Sequence, residues 1–314
     1  MRIFSDINSL SEHLLGAGEY CAVLIGKFDG VHAGHRKLIR SAVEAGKEEG
    51  LKTLLVTFDR PLGSYFSREA VKVLLTNEEK EAELQALGLS YEFVLPVNAS
   101  TMDMAPEDFL SMLSGKLRAR LISAGRDVSF GKGGAGDEEL LRKFSGVLGY
   151  KPVFVDKELY EGEAISSSRI RDALTEGRME DAEAMLSYPW YLRGRVVRGA
   201  ALGRKIGFPT ANVPFQQEKV MPPYGVYFSE ILAGGRTYPG VTDLGVKPTV
   251  SDDGEVMAES VLLGFDGDLY GREIQIRLKH FERPEQKFEG IDALKARISR
   301  DLKEAAVYFG EGNL

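Results

Sequence analysis

The sequence predicts a parallel α/β domain followed by a mostly antiparallel β-barrel domain that ends in a helix. Three observations predict it. The first half alternates short apolar runs with segments of helical period. The second half carries short β patterns separated by turn signals, and an amphipathic stripe closes the chain. The length of 314 residues suits two domains. A composition of 43% hydrophobic and 28% charged residues lets each half bury a core.

In the first half CAVLIG (21–26), TLLVTF (53–58), YEFVLP (91–96), RLISAG (120–125) and PVFVD (152–156) read as strands. Helical periods lie between them near 35–48, 77–87, 106–117 and 137–144. Strand and helix in repetition imply a parallel sheet covered on both faces, whose ligands bind beyond the carboxyl ends of the strands. Two short helices are expected near 168–176 and 179–186, with a domain boundary that divides the chain into 1–187 and 188–314. Beyond it YLRGRVV, GVYFSEIL, RTYPGVTDL, AESVLLGF and REIQIRLKHF read as strands. Gly-Gly at 234–235 and Asp-Gly at 253–254 and 266–267 are hairpin signals. Ile291, Leu294, Ile298, Leu302 and Ala305 fall on one stripe of a closing helix. No internal repeat or low-complexity segment interrupts this order.

The formal charge of −7 gives no general attraction to nucleic acid or to an anionic membrane, so neither is expected as a partner. An anionic small molecule must be held by a local device. Cys21 is the one cysteine, which excludes an intrachain disulfide and a cysteine-based zinc site; it reads as a small buried hydrophobe. Asp6, Glu12 and His13 interrupt any apolar run at the N-terminus, and no stretch approaches the roughly 18 apolar residues of a membrane span. A soluble cytoplasmic protein is expected.

The strongest local signal is Gly26-Lys27-Phe28-Asp29-Gly30-Val31-His32-Ala33-Gly34-His35, which leaves the first long strand and opens a helix. Glycines there let backbone N–H groups approach an anion, and the helix N-terminus adds partial positive charge. His32 and His35 are two of the four histidines and suit a transition state that moves negative charge onto a leaving pyrophosphate. The plain alternative is an ordinary turn with solvated imidazoles. A second block, Ile165-Ser166-Ser167-Ser168-Arg169-Ile170-Arg171, offers hydroxyls and a guanidinium before a helix, for an anion or for plain capping. In Gly203-Arg204-Lys205-Ile206-Gly207-Phe208-Pro209-Thr210-Ala211-Asn212, glycines allow close approach to phosphate and Pro209 stiffens the chain. Thr210 and Asn212 there offer hard neutral oxygens to Mg²⁺. No G-x-x-x-x-G-K-[ST] is present, so a P-loop kinase is excluded. Alternation places Glu259 with Met257, Val261, Leu263 and Phe265, a carboxylate on an apolar face and a candidate base. Gly131-x-Gly133-x-x-Gly136 with Asp156 imitates a dinucleotide fingerprint, but it follows the fourth of these strands instead of the first, which ranks an NAD-dependent dehydrogenase low.

These blocks resemble the bacterial bifunctional riboflavin kinase/FAD synthetases. The first resembles that family's G-x-F-D-G-V-H-x-G-H, a nucleotidyltransferase signature, and the second its I-S-S-[ST]-x-[IL]-R. Residues 125–137 resemble G-x-D-F-x-F-G-x-x-x-x-G-D, with Val128 in place of the aromatic. The 203–212 block resembles the riboflavin kinase signature, and Asp243-Leu244-Gly245-Val246-Lys247-Pro248-Thr249 resembles N-x-G-x-[RK]-P-T with Asp for Asn. Asp266-Gly267-Asp268-Leu269-Tyr270-Gly271, Arg283 and Phe288 match as well.

The resemblance implies a nucleotidyltransferase-type sheet domain that adenylates FMN to FAD, followed by a barrel that phosphorylates riboflavin, with ATP and Mg²⁺. It implies phosphate or ATP contacts from Gly26, Phe28, Asp29, Gly34, Ser166, Ser167, Ser168, Arg169, Gly203, Lys205, Gly207 and Pro209. Flavin contacts fall to Asp127 and Arg283, the metal to Thr210 and Asn212, and catalysis to Glu259, His32 and His35. One departure stands out. The family shows T-F-x-P-H-P after the second strand, whereas Thr57-Phe58-Asp59-Arg60-Pro61-Leu62 has no histidine. This leaves two alternatives, an active kinase beside an impaired adenylyltransferase, and a flavin-binding regulator.

Overall fold

The computed structural model describes residues 1–65, 71–199, 203, 206–247 and 255–311. They form two compact units, Met1–Ser167 and Ser168–Leu314. Lys205, Asp253 and Gly254 lie outside the described residues.

The first unit is built on a six-stranded parallel sheet of β1 (Arg2–Phe4), β2 (Cys21–Ile25), β3 (Lys52–Phe58), β4 (Tyr91–Leu95), β5 (Ala119–Gly125) and β6 (Lys151–Val155), in the order β1-β4-β3-β2-β5-β6. Every residue of β2 is buried, as continuous apolar runs in a doubly covered sheet require. Helices α1 (Ile7–Gly16), α2 (Ala33–Glu49), α3 (Asn77–Ala86), α4 (Ala99–Met102), α5 (Pro106–Gly115) and α6 (Glu138–Leu148) connect the strands. The strand edges match the periodic runs to within a residue or so. β1 and α1 carried too little periodicity to be recognised, although Asp6 caps α1 by accepting from the Ser9 N–H at 2.7 Å. The chain grows from β2 outward through β3 and β4, then returns to β2's other side with β5 and β6. The reversal lies between β2 and β5, so a crevice opens beyond their carboxyl ends. The turns after those two strands carry the histidine block and the glycine block.

The second unit begins with α7 (Ser167–Thr175), which starts on the last residue of the first unit, and α8 (Met179–Leu186). Six antiparallel strands follow: β9 (Tyr191–Arg195), β10 (Ala211–Pro214), β11 (Gly225–Ala233), β12 (Arg236–Lys247), β13 (Glu255–Leu262) and β14 (Glu273–Pro284), paired in the order β10-β13-β12-β11-β14-β9. The two end strands meet just beyond β9, where the Val197 N–H donates to the Asn212 carbonyl at 2.9 Å, and the sheet becomes a nearly closed barrel. A Cβ at Gly194 would lie 2.6 Å from Val213 Cγ1, so this approach needs glycine. The interior holds Val213, Tyr227, Ile231, Leu244 and Ala258, with a Thr242–Ser260 hydroxyl pair at 2.8 Å satisfying the two buried oxygens.

Gly234 and Gly235, with φ of 58° and 81°, make the expected two-residue hairpin between β11 and β12. Asp266–Gly267 does not make one. β13 ends at Leu262 and β14 starts at Glu273, and the left-handed glycines of that connection are Gly264 and Gly271. Ala211 and Asn212, which close the 203–212 block, continue into Val213 and Pro214 as the strand β10.

The closing helix α9 (Ile291–Tyr308) packs outside β11 and β12, where Ala305 meets Val226, Phe228 and Val241. Its expected stripe is only partly buried. Ile291 is 56% exposed, whereas Asp301 is 1% exposed and takes bonds from Arg283. The inner face of this helix is polar at its centre, which hydrophobic periodicity does not report.

Helix α8 lies on β14. Lys279 Nζ bonds Glu183 Oε1 and His280 Nδ1 bonds Glu180 Oε1, each at 2.6 Å, and Met185 and Leu186 are buried. Burial of each such apolar side chain is worth about 1.5–3 kcal/mol. A fragment of residues 168–314 should therefore melt at least about 5 °C above one of residues 188–314. Thermal unfolding followed by circular dichroism checks this; equal midpoints would mean that α7 and α8 contribute nothing to the barrel's stability.

Candidate active sites

In the first unit the site is the turn between β2 and α2. Phe28, Gly30 and Val31 have φ of 52°, 78° and 38°. A β-branched residue such as Val31 is strained there by roughly 1–3 kcal/mol, and such strain clusters at functional turns. The surroundings enforce it. The Phe28 ring is 1% exposed and packs against His35 at 4.7 Å between ring centroids. A Cβ at Gly26 would meet that ring at 2.8 Å. Asp29 Oδ1 accepts from the Leu74 N–H at 3.0 Å, and its carbonyl accepts from Ser167 Oγ at 2.9 Å. The Ser167 bond joins the second block to the first. Arg36 Nε donates to the Val31 carbonyl at 3.1 Å, and its guanidinium pairs closely with Glu83 of α3. A hydrogen bond from a charged group contributes about 1.5–3 kcal/mol, the scale of the strain.

His32 caps α2. Its Nδ1 accepts from the His35 N–H at 3.4 Å, a long bond that leaves the proton on Nε2, free to be donated. The two imidazoles stack with centroids 3.6 Å apart, and a Cβ at Gly34 would press on His32 Cε1 at 3.3 Å. Burial pushes the His32 pKa down to about 4. Burial first, and the neighbouring His32 second, hold His35 well below the ordinary histidine value. At neutral pH both rings are uncharged donors. His35 Nδ1 is buried with no partner among the described residues, the state of a group whose partner is a ligand.

Ser166 and Arg169 are half-buried and Ser168 is exposed at the start of α7. Asp127 is exposed and pairs with Lys157 at 2.9 Å. The imitation fingerprint is taken up by packing: a Cβ at Gly131 would lie 2.7 Å from Pro106, and Gly136 and Phe130 exchange backbone bonds of 2.8 and 3.0 Å. In the segment that departs from T-F-x-P-H-P, where Pro61 stands at the histidine's position, Asp59 Oδ1 accepts from the Val97 N–H at 2.9 Å and Arg60 Nη2 donates to the Val97 carbonyl at 2.6 Å. Both side chains hold Val97, two residues beyond the end of β4.

In the second unit the barrel register assembles the site. Asn212 on β10 lies opposite Glu259 on β13, Glu259 opposite Asp243 on β12, Asp243 opposite Val226 on β11, and Val226 opposite Arg283 on β14. Directly paired residues share a face, so these side chains form one row. That face is the outer wall, on which α9 packs. Glu259 shares this face with Met257 and Val261, as alternation predicts, and is half-buried, while Ala258 and Ser260 on the other face are fully buried.

Asn212 is 4% exposed. Its Nδ2 leans on Thr210 Oγ1 at 3.4 Å, and its Oδ1 is buried without a partner among the described residues. Gly199 stands so close that a Cβ would touch Nδ2 at 3.0 Å. The preceding loop is folded tightly, with the Phe208 N–H donating to the Gly203 carbonyl at 2.8 Å, φ of 92° at Gly207, and Pro209 exposed. Arg283 is committed to Asp301 through bonds of 2.7 and 3.2 Å.

A parallel α/β sheet domain whose first strand-to-helix turn holds two stacked histidines is thus joined in one chain to a small antiparallel barrel. Residues 16–169 match the FAD synthetase family model and residues 186–309 the riboflavin kinase model. The curated bifunctional riboflavin kinase/FMN adenylyltransferase of Escherichia coli K12 is 37% identical over 99% of this chain and 98% of its own. That of Listeria monocytogenes is 34% identical over 91% and 92%. The chain belongs to the bifunctional riboflavin kinase/FMN adenylyltransferase family. A crystal structure titled macrolide-efflux protein, from Streptococcus pneumoniae, superposes with a TM-score of 0.85 at 27% identity over 96% of this chain and 97% of that one. Among the described residues no helix is long and apolar enough to cross a membrane.

Sequence reasoning missed Arg36, Glu83 and Leu74 around the first turn, and the pairing of Asp243 with Glu259. Arg36 and Glu83 are 47 residues apart and carry no local signal. The depressed His32 pKa sets a pH dependence. Unfolded chains take up the proton near 6.5 and the folded protein only near 4, so stability falls as pH drops through that window. The loss should reach roughly 3 kcal/mol at its lower end. His32→Asn, which keeps a capping side chain, should flatten the fall of the melting temperature between pH 6.5 and 4. Parallel curves for parent and variant would contradict the buried neutral histidine.

Proposed function

We infer that the two halves run successive steps of flavin cofactor synthesis, ATP-dependent phosphorylation of riboflavin to FMN and adenylyl transfer from ATP to FMN. The observation that carries this is the presence of both functional turns in one chain, each at the head of its own sheet, along with near full-length likeness to bifunctional relatives. The adenylyltransferase domain is taken as 1–187 and the kinase domain as 188–314. That division concerns the two activities; the compact unit that holds the barrel starts earlier, at Ser168, and so includes most of α7 and all of α8. The enzyme acts on small molecules, and a cytoplasmic location fits this role.

In the kinase domain Thr210 and Asn212 would hold Mg²⁺. The fit rests on the buried Asn212 Oδ1, a hard neutral oxygen in want of a partner. The ion, when bound, neutralises charge on the ATP phosphates. Glu259, across the strand pair from Asn212, accepts the proton of riboflavin's primary hydroxyl as that oxygen bonds to the γ-phosphorus and ADP leaves. Gly203, Lys205, Gly207 and Pro209 supply the phosphate loop. Arg283, whose guanidinium is held by Asp301 of α9, contributes to flavin binding.

In the adenylyltransferase domain an FMN phosphate oxygen bonds to the α-phosphorus of ATP and pyrophosphate leaves. His32 and His35 donate to the oxygens that gain charge. Gly26, Phe28, Asp29 and Gly34 shape the cradle, Ser166 to Arg169 face the far phosphates, and Asp127 contacts the flavin. A second reading, a working kinase beside a weakened adenylyltransferase, draws on the missing histidine, at whose position Pro61 stands next to Asp59 and Arg60, both bonded to Val97.

Two substitutions test the division. Glu259→Gln should slow FMN formation by about 10²–10⁴ and leave FAD formation from supplied FMN intact. His32→Ala should slow FAD formation by about 10²–10³ and leave FMN formation intact. Loss of both activities in either variant would contradict two separate sites. Absence of FAD formation in the parent, with FMN formation retained, would favour the second reading.

A further inference from the structure

Arg36 has no part in the proposed contacts with ATP or FMN, yet it is bound to the most strained peptide of the first turn. It follows His35 on α2, and its side chain runs back along the helix toward the turn. Its Nε donates to the Val31 carbonyl at 3.1 Å. Its Nη2 is in a close ion pair with Glu83, and the two side chains are only 13% and 20% exposed. Val31 is fully buried at φ 38°, and its carbonyl belongs to the peptide that enters His32. Whatever fixes that peptide plane fixes where the His32 ring starts, and so the 3.6 Å stack with His35. The segment leading into α3 braces the same turn a second time through Leu74 and Asp29. The turn is thus held at two points, by the Leu74 N–H on the Asp29 carboxylate just before α3 and by the charged Arg36–Glu83 relay from α3 itself.

We propose that Arg36, held in place by Glu83, is a positioning residue for adenylyl transfer, fixing the Val31 carbonyl so that His32 and His35 keep their stacked, donor-ready geometry. This rests on the functional reading above. A guanidinium suits the task because its planar fork bonds two partners at once, which an ammonium on a flexible stem does less well. Small displacements of a preorganised donor reduce rate more than binding, so the effect belongs on kcat.

The full chain is used, with its riboflavin kinase activity as an internal control for folding. With supplied FMN and ATP, Arg36→Met is expected to lower kcat for FAD formation by about 10- to 100-fold with KM within about threefold. Arg36→Lys should fall between parent and Arg36→Met. Glu83→Gln should lower kcat in the same direction, and the double variant should be no worse than Arg36→Met, because the pair acts as one unit. A kcat for Arg36→Met within twofold of the parent, additive losses in the double variant, or an equal loss of kinase activity would each overturn the proposal.

Histidine-ring NMR titration reads the same geometry without turnover. In the parent, His32 should stay neutral far below pH 6.5, and in Arg36→Met its midpoint should move toward that value. An unchanged titration overturns the proposal. A parent that makes no FAD, yet shows the NMR shift on substitution, would sink the functional reading and leave the positioning role standing.

Discussion

Two residues with side chains, Phe28 and Val31, are held in the left-handed backbone region within one turn, and the first unit is arranged around keeping them there. Neither conformation would persist in a free peptide, since each opposes the steric preference of an L-residue. The Phe28 ring is buried against His35, the Asp29 carboxylate is fixed by the Leu74 N–H, and the Val31 carbonyl is fixed by Arg36. Two of these contacts come from α2 and one from the segment before α3, and Arg36 is itself held by Glu83 of α3, so the turn is determined by the tertiary fold. The result is a helix start with backbone donors directed outward and two neutral imidazoles stacked beside them. Neutrality matters to the chemistry. Hydrogen-bond donors that are already in place need no reorganisation as charge moves onto a leaving group.

The barrel solves a different problem by register. Asn212, Glu259 and Asp243 are far apart in sequence and reach one row because β10, β13 and β12 are neighbours. Placing that row on the outer wall keeps the interior free for packing, where the Thr242–Ser260 pair satisfies its own hydroxyls. Closure of the barrel beside the row, by the Val197–Asn212 bond, holds Asn212 almost fully buried with its carboxamide oxygen still in need of a partner. A buried acceptor in that state carries a desolvation penalty until a cation or donor arrives.

Much of this was legible in the sequence where the signal is local. The five longer strands of the first sheet, helix α8 and the Gly234–Gly235 hairpin follow from periodicity and turn chemistry, and His32 and His35 stand out by their place between strand and helix. What was not legible depends on partners distant in sequence. Arg36 is an ordinary helix residue until Glu83 and the Val31 carbonyl are placed beside it. Glu259 sits on the expected face of its strand, but alternation alone cannot say which face of a closed barrel is the inside. Strand β10 was hidden because it begins inside Pro-Thr-Ala-Asn, which has the composition of a turn, and its strand character comes from pairing with β13. The inner face of α9 misled for the opposite reason, since its buried centre is Asp301, satisfied by arginines and invisible to a hydrophobic count.

The central claim is that two separate sites act in sequence on one flavin. It is tested most directly by a time course of the full chain with riboflavin, ATP and Mg²⁺, with riboflavin, FMN and FAD separated at each point. The account predicts that FMN rises first and then falls as FAD accumulates, with FAD formation beginning after a lag. FAD appearing without free FMN at any time, or no conversion of riboflavin at all, would contradict it.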